Sequence, residues 1–113
     1  AEVRCPDPTA NPYLAFAAML AAGLDGIEKG MKLSDPVEES LFEMSPERVA
    51  EKGIEELPGS LGAAIYAMEQ DEVIAEALGD HVYTHYLEAK REEWSEYKTQ
   101  VTEWERDRYL EAY

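Results

Sequence analysis

The first five residues, Ala-Glu-Val-Arg-Cys, alternate with a two-residue period, placing Glu2 and Arg4 on one face and Val3 and Cys5 on the other. That period predicts a short strand over residues 1–5. A strand at the first residue has no partner to satisfy its backbone groups, so the expectation is a chain cut from something larger. Pro6, Pro8 and Pro12 interrupt the next stretch, and Asn11-Pro12 fits an N-cap followed by the first helical position. A helix is predicted over 12–29. Its alanines (Ala15, Ala17, Ala18, Ala21, Ala22) favour the helix and permit close approach. It is apolar nearly all round, which predicts burial, and Gly30 is placed to terminate it.

Residues 31–59 lose this regularity. Asp35-Pro36 opens one short element, Ser45-Pro46 caps another, and Gly53 and Pro58-Gly59 mark ends, so an irregular, partly helical loop region is expected. Periodicity returns over 60–100. Ser60 is positioned to cap a helix of residues 61–70, Asp71 to restart one ending at Gly79, and Asp80 to cap the longest helix. Thr102-Glu-Trp-Glu105 has the form of a capping box, which predicts a separate helix over 102–113. The fold class expected is mainly α: a helical segment with one short N-terminal strand, belonging to a larger α+β domain.

Composition narrows the function. The net charge of −15, from 25 acidic against 10 basic side chains, repels phosphate backbones, which argues against nucleic acid. Hydrophobic residues make up 45% of the chain, enough to build a core and to disfavour disorder. The apolar run from Leu14 to Leu24 is too short to span a bilayer and is followed by Asp25 and Glu28, so no membrane partner is expected. A signal peptide is not expected at the polar, proline-bearing start. One cysteine, Cys5, excludes an internal disulfide and points to a reducing, cytoplasmic setting. It reads as a small, half-buried thiol without a catalytic task.

Two constellations bear on chemistry. On one strand face, Glu2 offers hard oxygen ligands suited to Mg2+ or Mn2+, and Arg4 a planar fork for a carboxylate or phosphoryl group. Taken alone the pair is also what an exposed ion pair looks like. His81 and His85 stand one helical turn apart, a metal-compatible spacing. With no third ligand at that spacing and no HExxH carboxylate, they read as surface or packing histidines. Tyr83, Tyr86, Trp94 and Tyr97 read as helix packing, whereas Trp104, Tyr109 and Tyr113 read as a subunit interface.

The stretch Glu2-Val-Arg-Cys-Pro-Asp-Pro-Thr-Ala-Asn-Pro-Tyr-Leu-Ala-Phe-Ala-Ala-Met-Leu-Ala-Ala-Gly-Leu-Asp-Gly-Ile27 resembles the type I glutamine synthetases. So do Leu57-Pro-Gly-Ser-Leu61, Ala77-Leu-Gly79 and Trp104-Glu-Arg106…Tyr109, so the resemblance covers nearly the whole chain. It is to the C-terminal part of the catalytic domain, in the form found in archaea and Gram-positive bacteria. The resemblance implies a glutamate–ammonia ligase that consumes ATP through a γ-glutamyl phosphate, works with Mg2+ or Mn2+, and assembles as a dodecamer of two hexameric rings. It implies that Glu2 is a metal ligand and that Arg4 is catalytic and substrate-binding. Leu41-Phe42-Glu43-Met44 stands where the enterobacterial branch carries an adenylylated tyrosine, which implies regulation by glutamine and by P-II-type or repressor partners instead. From the residues alone, an acidic helical interaction module without catalysis and an acidic mimic of nucleic acid are the competing readings.

Overall fold

A computed structural model describes residues 2–110. It holds five α-helices: α1 (Pro12–Glu28), α2 (Pro46–Glu51), α3 (Leu61–Glu69), α4 (Glu72–Tyr97) and α5 (Glu103–Tyr109), with a single 3₁₀ turn at Leu41–Glu43. Each helix begins where a short polar side chain accepts the first free backbone N–H groups. Asn11 Oδ1 accepts from Tyr13 (3.0 Å) and Leu14 (3.3 Å) at the start of α1. Ser45, Ser60 and Asp71 do the same for α2, α3 and α4.

α1 ends as the sequence requires. Gly30 sits at φ 61°, and the N–H groups of Gly30 and Met31 turn back to the carbonyls of Ile27 (3.1 Å) and Gly26 (2.9 Å), closing the last turn. Within α4, Gly79 adopts φ 69°, ψ 158°, a conformation open essentially to glycine alone, and divides the helix into two lengths. Asp80 follows the break, in the first turn of the second length, where its carboxylate meets the positive end of that length. Its expected capping bond is not among those formed by the described residues.

α3 and α4 pack as an antiparallel pair. Tyr83, Leu87, Lys90 and Trp94 recur along one stripe of α4 and face Leu61, Gly62, Ile65 and Met68 of α3. Ile65 and Leu87 form the buried core, 8% and 5% exposed. Gly62 lets the Trp94 indole lie so close that a Cβ there would sit 2.6 Å from Cε2. The Tyr83 hydroxyl donates to the Met68 carbonyl at 3.2 Å, and Arg91 Nε donates to Glu69 Oε1 at 3.0 Å, fastening the same two helices.

α1 packs against the first length of α4. Leu14, Ala18, Ala21 and Asp25, spaced three and four apart, are half-buried there, whereas Tyr13, Phe16, Leu20, Leu24 and Ile27 line an exposed apolar stripe. The helix therefore has the all-round apolar character foreseen, yet the described residues cover only one side of it. The molecule is correspondingly open. Its radius of gyration is 18.3 Å, where a compact chain of this length has about 13 Å. It exposes 10252 Å², against roughly 6,200 Å² for a compact monomer of this mass.

The N-terminal strand is a correction. Among the described residues there is no strand, and residues 2–7 run extended without a ladder. The period of two is there, but a strand exists by hydrogen bonding to a neighbour, and none of the described residues provides one. Ala1 lies outside the described residues, as do residues 111–113 and with them Tyr113 of the expected interface helix.

Candidate functional site

The extended arm of residues 2–7 keeps its alternation, and Glu2 and Arg4 fall on one side of it. Arg4 Nε donates to Glu2 Oε1 at 2.8 Å, with the two side chains 83% and 71% exposed. The arm is not left to swing freely at its inner end. Asp7 Oδ1 accepts from both the backbone N–H and the hydroxyl of Thr9, each at 2.6 Å, and Ala10 N–H donates to the Asp7 carbonyl at 3.1 Å. This Asx turn around Pro8 leads directly into the Asn11 cap. The Thr9 hydroxyl, and then its N–H, hold the Asp7 carboxyl below the ordinary aspartate range, so it stays charged and committed to the turn. The turn and the cap together order the chain from Asp7 into α1.

Chemically the arm offers one hard carboxylate and one guanidinium, side by side and open to whatever docks against them. Among the described residues no group of three or more His, Cys, Asp or Glu side chains converges as a metal site. Cys5 is exposed rather than half-buried as expected, because none of the described residues packs over the arm, and it has no disulfide partner. His81 and His85 lie on α4, where their rings face each other with centroids 4.4 Å apart. The structure does not bring them to Glu2.

One cluster carried no sequence signal. Glu39 accepts from Arg48 Nη2 at 2.9 and 3.1 Å and pairs with Lys52 Nζ at 3.1 Å. The Arg48 hydrogen bond first, and then that of Lys52, lower the Glu39 pKa, and the network ties the irregular loop to α2. Beside it, Ser34, Asp35, Pro36 and Val37 face Lys52 to Glu55 across a groove of about 690 Å³. Irregular chain brings these groups together, where no period exists to read. Phe42, on the 3₁₀ turn, is fully exposed. No helix among the described residues is long and apolar enough to cross a membrane.

At the other end, α5 opens on the capping box: Glu105 N–H donates to Thr102 Oγ1 (3.2 Å), and Thr102 N–H donates to Glu105 Oε2 (2.8 Å). Trp104, Tyr109 and Leu110 remain exposed, with the Arg108 guanidinium 5.3 Å from the Trp104 ring.

Comparison with known proteins places this arrangement. Residues 1–109 match the family described as "Glutamine synthetase, catalytic domain". A glutamine synthetase of Methanocaldococcus jannaschii is 55% identical over 109 residues, covering 96% of this chain and 24% of its own length. One of Thermus thermophilus is 50% identical over 113 residues, covering all of this chain and 25% of its own length. The solved structure "Apo GmaS without ligand" superposes with a TM-score of 0.77 at 40% identity, over 97% of this chain and 25% of that one. The chain thus spans about a quarter of the length of the relatives it matches, and identity at this level along nearly all its residues means that it belongs to the glutamine synthetase catalytic-domain family.

Proposed function

We propose that this segment supplies one wall of the active site of a glutamate–ammonia ligase, which condenses glutamate with ammonia at the expense of ATP through a γ-glutamyl phosphate. The observation that carries the reading is the Glu2–Arg4 pair: a carboxylate and a guanidinium side by side on the arm that leads through the Asp7 turn and the Asn11 cap into α1. Family membership gives that pair its context. Arg4 is the residue that binds the reacting end of glutamate and the phosphoryl oxygens. Its planar fork matches either group, and its positive charge offsets the charge that builds up during phosphoryl transfer.

Glu2 is assigned as a metal ligand. Its oxygens suit Mg2+ or Mn2+, but a hard divalent cation takes about six oxygen ligands and the described residues bring one carboxylate to this place. These residues do not by themselves fit the ion.

The same reading assigns a cytoplasmic setting, supported by the lone unbridged Cys5. It assigns a dodecamer of two hexameric rings, in which the helix opening at Thr102 meets another subunit, supported by the exposed Trp104, Tyr109 and Leu110. It also assigns regulation by glutamine and a P-II-type or repressor partner, supported by Phe42, which has no hydroxyl to accept AMP.

Mn2+ binding to the full-length enzyme, followed by electron paramagnetic resonance, tests the assignment of Glu2. Glu2→Ala should weaken one class of sites by on the order of tenfold or more, with assembly unchanged. An unaltered Mn2+ isotherm would reduce Glu2 to a surface charge. For the tail, deleting residues 102–113 should release single hexamers or smaller species in sedimentation, and a persistent dodecamer would refute the interface.

A further inference from the structure

The two histidines of α4 take no part in the site above, and the structure gives them more than the sequence spacing did. Both are exposed, and their rings face each other with centroids 4.4 Å apart and planes tilted by 44°. The His85 ring is also held. Its Nδ1 lies 2.8 Å from the His81 backbone carbonyl. A carbonyl can only accept, so Nδ1 carries the proton and, in the neutral ring, Nε2 keeps its lone pair facing outward from the backbone. A backbone carbonyl bonded to the far nitrogen is the arrangement that fixes the tautomer and orientation of a metal-binding imidazole. The Gly79 break puts His81 in the first turn of a fresh helical length, so both histidines sit on one regular stretch with Leu87 anchoring it below. The chain's net charge of −15 raises the local concentration of cations around them.

We propose that His81 and His85 form a two-imidazole anchor for a borderline divalent cation of the copper(II) or zinc(II) class on the open face of α4. Imidazole nitrogen favours these ions over Mg2+ and Mn2+, which prefer oxygen, so this anchor and the oxygen site assigned to Glu2 select different metals. Two ligands on one turn act as a chelate, because the first bond holds the second imidazole at high effective concentration. No third His, Cys, Asp or Glu joins them among the described residues.

The test adds one equivalent of copper(II) to the full-length protein with excess Mg2+ present to occupy oxygen sites. The expected electron paramagnetic resonance spectrum carries hyperfine structure from two nitrogens, and zinc(II) should displace the signal. His81→Asn and His85→Asn should each reduce it to one nitrogen and weaken binding on the order of 10²-fold. Both positions are exposed, and circular dichroism of each variant should show unchanged helix. An oxygen-only spectrum, or an affinity that neither substitution alters, would overturn the proposal.

Discussion

The α3–α4 pair and the arm before α1 are built on opposite terms. In the pair, every attachment is internal: Ile65 and Leu87 exclude water, Trp94 lies on Gly62, Tyr83 bonds to Met68 and Arg91 to Glu69. In the arm, Glu2 and Arg4 pair with each other and stand mostly in solvent, with no core around them among the described residues. The pair loses stability when buried groups are cut away, because close-packed atoms have no substitute contacts. The arm cannot be broken that way. On the proposed reading its side chains serve the ligase chemistry, and changing them should alter function without altering the fold.

The largest loss of stability should come from Leu87→Ala, which empties the centre of the pair and should cost about 2–5 kcal/mol in denaturant unfolding. A loss below the range typical of exposed sites would mean that the pair is not the organising core. Gly79→Ala comes next. It forces a side chain into a backbone conformation that costs on the order of 1–3 kcal/mol, and straightening of α4 would be detected by hydrogen exchange around residues 76–83. Thr102→Ala should cost about 1 kcal/mol, confined to α5, with amide exchange in α3 and α4 unchanged. Loss of protection in α4 as well would show that the two regions are coupled.

A pH titration sharpens the same contrast. The backbone N–H of Thr102, and then its hydroxyl, hold the Glu105 carboxyl below the ordinary value of 4.5. A depressed folded-state pKa gives stability that is present above the unfolded value and lost as the pH falls through the folded one. Amide signals of α5 should therefore broaden or shift to exchanging positions as the pH drops below the ordinary glutamate range, before the α3–α4 signals change. Simultaneous loss of both would assign acid sensitivity to the core instead. The smallest effect on stability should be that of Arg4→Ala, since an exposed ion pair contributes little.

Sequence reading succeeded where one residue decides the local outcome. Asn11, Ser60, Asp71 and Thr102 accept backbone N–H groups as short polar caps do, and Gly30 and Gly79 stand at positive φ where helix must stop or break. It fell short where the outcome depends on what lies across from a residue. The alternation of residues 1–5 is there in the sequence, but pairing into a strand requires a neighbour, and none of the described residues supplies one. The apolar surface of α1 correctly signalled a need for cover, yet periodicity says nothing of which side is covered by whom. Glu39 with Arg48 and Lys52 was invisible for a related reason, since irregular chain brings them together. The pairing of Glu2 with Arg4 was legible as a shared face, and its chemical meaning came from resemblance to a family.

On the proposed function, Glu2 and Arg4 are there for chemistry and the α3–α4 pair for structure. This division is tested most directly by assaying glutamine formation and thermal unfolding on the same samples of full-length enzyme carrying Glu2→Ala. The account predicts a rate lower by on the order of 10²-fold or more, with an unchanged unfolding midpoint. Normal turnover, or a loss of activity fully matched by a loss of stability, would contradict it.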